Sequence, residues 1–462
     1  MINLKKDGLV IITILILIFI FYFKAIDYFF VGEEFDVLYG FEITGIKDTL
    51  KHFYKPVGSL NGGDFSYRPL WNIVFCLIYY SPFKFNPIAY RIITFLLHFS
   101  NVLLIYYIIK KIFDFKYAAL ISILYTIHPI TIEPVLWWNA SADLFWQFFF
   151  LCAFYFHIQN EDYKSYNYFL VSLFLILALL SKENGILFLG FASIFDFVYF
   201  KRDNLLKKLK KIIKRNVHIF LIICIYFIFR LFIFDHFGSY GSAPKYDIKL
   251  ITIVVLRRLR VCLFYALKFY KLELASEQIF IIYIILFIFL FLIFIYFYKK
   301  IIKIIDLKFL LLNFLFFIYF ILPTSNICTS LRTSDIIIGA RFMYFPLIFM
   351  LIILIYLIFK INCIKIRTTI LIVLFIFWGY KNYYCVSLFK DAADFGLRRW
   401  NNIIKFLKEE PNMEKEEIYK KILAIEEGFE HKSSYSGQTA FLFEQQFYLI
   451  KNVILKNNYD KN

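Results

Sequence analysis

KRDNLLKKLKKIIKR, residues 201–215, carries eight basic side chains against the single acid Asp203, about +7 in one short loop between apolar runs. Such a cluster beside apolar spans marks the cytoplasmic side of a membrane, with attraction to anionic headgroups as a secondary effect. No aromatic or groove-reading motif accompanies it, so nucleic acid is not the partner behind the formal net charge of +18. The rest of the chain fits the same reading. With 61% hydrophobic and 19% charged residues and a mean hydropathy of +0.68, it is too apolar for an ordinary soluble domain. Phe (61) and Tyr (35) are so abundant that single aromatic residues carry little functional information.

Working outward from that loop, Lys5 and Lys6 precede the first apolar run and place the N-terminus on the same, inner side. The run at 9–23 is followed by Lys24-Ala25-Ile26-Asp27, which lacks a small-residue cleavage pattern, so it reads as an uncleaved anchor. Residues 24–86 form the first outer loop, which ends in an interfacial helix near 70–80 held by Tyr67, Arg68 and Trp71. Alternating spans follow, about eleven in all at roughly 20 residues per crossing. The segment 248–274, with Arg257, Arg258, Arg260, Lys268 and Lys271, is too charged to span and is placed on the outer interface. The expected fold is therefore an all-α polytopic membrane protein, with a transmembrane domain over 1–380 and a short extracytoplasmic helical tail over 381–462. The tail is nearly neutral, with 13 basic and 12 acidic residues, and its helix is expected to break at Pro411.

Seven cysteines without CxxC spacing argue against a zinc or disulfide framework; only Cys328 and Cys385 fall in segments read as external. His128 and Glu133 lack a third metal partner, so no metal site is assigned and a divalent metal requirement stays open. Asn139-Ala140-Ser141 is a formal glycosylation triplet too close to the membrane for modification.

Ionisable residues at span ends are functional candidates, and here they recur on the outer side: Glu33 and Glu34, Tyr67 and Arg68, His128, Glu133 and Asp143, Lys182 and Glu183, Arg230, Arg341 and Tyr344. One outward cavity could collect them. Two adjacent carboxylates at a membrane surface lose hydration and repel each other, which raises at least one pKa and suits proton abstraction. A pair simply solvated by its loop is the competing reading.

The ordered set FFVGEEF, SYRPL, RIITFLLH (91–98), HPITIEPVLWWNASADL, LLSKENG, LPTSN and ARFMYFP resembles the membrane domain of the GT-C superfamily of glycosyltransferases. It looks closest to the protein O-mannosyltransferase-like branch that joins such a domain to tetratricopeptide repeats. The resemblance covers roughly 8–390. It implies a polyprenyl-phosphate-linked donor carrying a mannose-like hexose, inverting transfer to a hydroxyl of a protein, lipid or glycan on the extracytoplasmic face, and a catalytic base in the acidic pair. The family usually has Asp-Asp or Asp-Glu there; Glu33-Glu34 keeps the chemistry with one more methylene, and which of the two is the base is open. The leaving phosphate needs fixed cations. Lys182, Arg230 and Arg341, with Tyr344, are the candidates; Asp143, Glu183, Arg68 and His128 are assigned to the substrate, Glu183 as an ion-pair partner. The membrane is cytoplasmic in a prokaryote and that of the endoplasmic reticulum in a eukaryote.

No phosphate-binding glycine loop or dinucleotide fingerprint is present, and a nucleotide-sugar donor would need a cytoplasmic domain. A flippase or transporter of lipid-linked glycans would show inverted repeats with charges at the midplane, which are not seen. A polymerase or ligase of such glycans is separated less well. The tail is too short for a repeat array, so peptide recognition does not carry over.

Overall fold

The computed structural model describes residues 4–54, 67–159, 165–200, 204–234, 306–324, 339–411, 413–426 and 443–451, with Val255, Arg258, Leu259 and Cys262. Gly58, Gly62 and Gly63 of the first outer loop, most of 248–274, the expected span at 278–298 and Cys328 lie outside them. Among the described residues all regular structure is helical. Helices α1 (Leu4–Tyr22), α2 (Glu34–Thr49), α3 (Pro69–Tyr79), α4 (Pro87–Ile112), α5 (Phe115–Ile127), α6 (Ile132–Leu136), α7 (Ala142–Gln159), α8 (Ser165–Ser181), α9 (Phe188–Tyr199) and α10 (Leu205–Phe234) come first. Helices Leu307–Ile321, Leu347–Phe359, Ile364–Glu409, Lys415–Glu426 and Phe443–Leu449 follow.

Six helical segments are long and apolar enough to cross a membrane, or seven if the α5–α6 pair, bent by 57°, counts as one span. The expected eleven are not all found: the span at 278–298 lies outside the described residues, and elsewhere length is the reason. Helix α8 has 17 residues and Leu347–Phe359 has 13, whereas about 20 residues are needed to traverse the hydrocarbon core.

Three stretches differ from the sequence reading. The described part of the basic loop is helix: Asn204 Oδ1 accepts the Lys207 N–H at 2.9 Å, and the helix-favouring Leu and Lys residues then run on into the span. The polar segment after α1 contains helix α2, which the acidic pair opens. The stretch 128–144, read as an outer turn, is buried except for the half-exposed Asn139. Pro129 starts the bend: it lacks an N–H, and its predecessor His128 is extended (φ −67°, ψ 131°).

The chain forms two compact units. One comprises Met1–Phe21, Ile105–Glu133 and Pro244–Tyr384; the other comprises Tyr22–Leu104, Pro134–Ala243 and Cys385–Asn462. In the second, a core of aromatic and aliphatic side chains joins α2 (Phe35, Leu38, Phe41) and α3 (Trp71, Phe75) to the C-terminal segment (Trp400, Ile403, Ile418, Phe443). The expected break at Pro411 falls between Ile364–Glu409 and Lys415–Glu426. The first of these helices passes through residue 381 without interruption. Trp400 stacks on Phe35 with ring centroids 5.8 Å apart and contacts Phe29 and Phe85 at 5.7 and 5.6 Å. The tail is thus built into the support of the helix that carries the acidic pair.

Candidate active site

Gly32, with φ +53°, turns the chain immediately before the two glutamates, a conformation that costs other residues roughly 1–2 kcal/mol. The turn separates their fates. Glu34 is fully buried, and its carboxylate reaches back to the Val31 N–H (2.8 Å), as in one half of a capping box. Its other oxygen accepts the Trp138 N–H at 2.8 Å and faces Arg91 Nη1 at 3.4 Å. Burial pushes the Glu34 carboxyl up to about 7, against the opposing pull of Arg91 and the two backbone N–H groups. Glu33 is exposed, and Asn139 Nδ2 donates to its Oε2 at 2.9 Å.

Adjacent residues of one turn therefore hold both glutamates. That turn is fixed in place: Trp71 Nε1 donates to Ser141 Oγ at 2.9 Å, Ser141 Oγ donates to the Trp138 carbonyl, and the Trp71 and Trp138 rings stack at 5.7 Å. Arg91 and Asn139 were not assigned roles from sequence. An arginine inside an apolar run is itself a signal that could have found the first; nothing local distinguishes Asn139.

Arg68 lies at the start of α3, which Trp71 pins to this turn. Its guanidinium is 3.8 Å from Glu183, and both side chains are partly exposed. Burial alone would raise the Glu183 carboxyl, but Arg68, Lys182 and Arg230 outweigh it and hold it below its ordinary value. The close approach that places Lys182 and Glu183 depends on Gly185, where a Cβ would lie 3.0 Å from the Leu179 backbone nitrogen. Lys182 is buried, with Nζ 2.6 Å from Asp143 Oδ1, which also accepts from Trp146 Nε1 at 2.9 Å. Arg230 is buried with Nη1 3.1 Å from the Tyr226 hydroxyl. The second unit therefore gathers Arg68, Lys182 and Arg230 with Asp143 and Glu183, three cations against two carboxylates.

The other unit holds the remaining candidates. Glu133 is buried and accepts the backbone N–H groups of Gly339 (2.9 Å) and Arg341 (2.7 Å), with Arg341 Nη1 at 3.6 Å and the arginine side chain 23% exposed. Tyr344 is buried, its carbonyl accepting from the Tyr125 hydroxyl at 2.7 Å. His128 is buried, with Nδ1 accepting from the Ile130 N–H and Nε2 2.9 Å from the Cys262 carbonyl. Both ring nitrogens are engaged by backbone groups, and the first hydrogen bond places the proton on Nε2. Among the described residues no group of three His, Cys, Asp or Glu is arranged to hold a metal ion.

Residues 73–230, which include Arg91, Asp143, Lys182, Glu183 and Arg230, match the family model described as dolichyl-phosphate-mannose-protein mannosyltransferase. Over that stretch the chain is similar to this family. The human protein O-mannosyl-transferase TMTC4 is 28% identical over 180 residues, 34% of this chain and 24% of the relative. The Caenorhabditis elegans protein O-mannosyl-transferase F38B6.6 is 31% identical over 137 residues, 29% and 19% of the two chains. The human TMTC3 is 27% identical over 135 residues, 28% and 15%. The chain's match thus spans about a quarter or less of these curated relatives. No solved structure matches. The family and the apolar helices together describe a multi-pass membrane protein, and the family match begins downstream of Glu33, Glu34 and Arg68.

Proposed function

We propose that this chain is a membrane glycosyltransferase that moves a mannose-like hexose, with inversion, from a polyprenyl-phosphate donor to a hydroxyl acceptor on the extracytoplasmic face, and that Glu33 is its base. The observation that carries this reading is the division of the acidic pair: Glu34 is sealed into the fold, and Glu33 stands exposed beside it on a fixed turn. A base must reach the proton it takes. Glu33 removes the acceptor proton as the acceptor oxygen bonds to the anomeric carbon, and the bond from that carbon to the phosphate oxygen breaks with its electron pair leaving on polyprenyl phosphate. Arg68, whose side chain keeps exposed surface, meets the growing negative charge; arginine suits this because it can grip phosphate bidentately. Lys182 holds Asp143 in place, and Arg230 and Glu183 orient Arg68. The family match supports the donor class. Incubating the purified protein with a panel of polyprenyl-phosphate sugars and hydroxyl acceptors tests it: the expected result is acceptor-dependent release of polyprenyl phosphate from the mannose donor. No release from any donor, or movement of intact lipid-linked sugar across vesicles in its place, refutes it.

A further inference from the structure

Away from the candidate site, α9 and α10 pack against each other and leave a groove of about 220 Å³ between them. On α9 it is lined by Leu189 and Ser193, four residues apart; on α10 by Ile212, Ile213, Asn216, Val217 and Phe220. On α10 these positions share one helix face, spaced by three and four residues. One turn further along the same faces the chemistry changes abruptly. Phe197 follows Ser193 by four residues, Lys208 precedes Ile212 by four, and Lys208 Nζ lies 3.7 Å from the Phe197 ring centroid. Lys211 Nζ stands 5.1 Å from the Phe200 ring, again between the two helices. Between Leu205 and Lys214 there are five lysines and no acid. The nearby Asp196 is engaged inward by Asn216 Nδ2 at 2.8 Å, Arg215 Nε at 3.4 Å and His157 Nε2 at 3.1 Å.

The cleft therefore has one cationic end and an apolar trough, and Lys208 to Phe220 covers about 18 Å at 1.5 Å per residue. That polarity is the mirror image of an anionic phospholipid: a phosphate at one end, a hydrocarbon chain behind it. The neighbouring surface of α10, with Leu206, Leu209, Ile213, Leu221 and Ile225 exposed, is apolar enough to face lipid. We propose that the α9–α10 groove binds one anionic phospholipid, with its phosphate between Lys208 and Lys211 and an acyl chain along Ser193, Val217 and Phe220. The rings of Phe197 and Phe200 hold the two ammonium groups at the groove mouth through cation–π contact, so less side-chain freedom is lost when a phosphate arrives. A neutral lipid fills the trough but gains nothing at the mouth.

Native mass spectrometry of the full chain, with phosphatidylglycerol and phosphatidylcholine of identical acyl chains, tests this. The expected result is preferential retention of one phosphatidylglycerol. Lys208→Gln with Lys211→Gln should reduce that retention by about 25-fold, since each lysine near a headgroup contributes roughly a factor of five. Val217→Trp, which fills the trough, should reduce it as well. The charge-matched control Lys405→Gln with Lys420→Gln should leave it unchanged. Equal retention of both lipids, an unchanged double variant, or an equal drop in the control overturns the proposal. So does retention that survives Val217→Trp, or a protein dimer that Val217→Trp dissociates, because then the groove holds a second copy of the chain.

Discussion

Glu34 and Glu133 are two solutions to one problem, placed in the two compact units. Each is a buried carboxylate held by two backbone N–H groups and one arginine: Val31, Trp138 and Arg91 for Glu34; Gly339, Arg341 and the Arg341 side chain for Glu133. They differ in the arginine. Arg91 is fully buried and lies 5.4 Å from the Phe389 ring, whereas the Arg341 side chain is 23% exposed. A sealed arginine can only stabilise its carboxylate, while an arginine with an open face can also meet a ligand. The same contrast separates Glu34 from Glu33, and it explains why an acidic pair needs both members.

The largest effect expected from breaking this contrast is on transfer itself. Glu33→Gln should lower the rate about 10²–10⁴-fold, the usual contribution of a positioned base, with donor binding retained. Glu34→Gln keeps one accepting oxygen but sets its amide NH2 against a backbone N–H donor, and because Glu34 is sealed away from the acceptor it should retain most of the activity. Rates measured side by side decide it, and loss confined to Glu34→Gln reverses the two roles.

Next come the arginines. Arg91→Ala leaves Glu34 buried without its cation and should destabilise the protein by about 3–5 kcal/mol. Arg341→Ala removes a side chain that is 23% exposed, so water takes its place beside Glu133 and the cost in stability should be smaller, about 1 kcal/mol. Thermal unfolding in detergent compares the two; equal destabilisation would erase the distinction between sealed and open arginine.

The Glu34 side is sharpened further by Trp400, whose ring stacks on Phe35. Trp400→Ala should destabilise by about 3 kcal/mol, the lower end for truncating a large core aromatic, and lower transfer through the displaced start of α2. Deleting the tail aromatic without effect on either readout would show that the tail does not support the acidic pair.

The smallest effect is a pH dependence. Burial raises the Glu34 carboxyl to about 7 from an ordinary value near 4.5. The folded state thus binds more protons than the unfolded state between these values, and stability falls as pH rises from about 4.5 through 7. Glu34→Gln should gain stability relative to the parent over that interval. Parallel unfolding curves for the two proteins at pH 5 and pH 8 would mean that ionised Glu34 carries no such cost.

The acidic pair, Arg68, Asp143, Lys182, Glu183 and Arg341 were all legible as candidates, because charge in an apolar chain is conspicuous and expensive. Their pairing was not. Lys182 reads as a phosphate cation, yet it is buried 2.6 Å from Asp143, 39 residues away in sequence. The basic stretch reads as a loop because charge interrupts hydropathy, but lysine favours helix and the backbone does not register the change. The tail reads as a separate segment because its composition shifts, whereas its aromatic residues complete the core under α2.

By itself the sequence determined a multi-pass helical membrane protein and the positions where its ionisable groups stand, because the cost of placing polar groups in hydrocarbon leaves few arrangements for a chain of this hydropathy. Only the tertiary structure decided which of two adjacent glutamates is sealed and which is open. Residues one position apart at a helix start point in different directions, and what each direction meets is supplied by Arg91, Trp138 and Asn139 from distant parts of the chain.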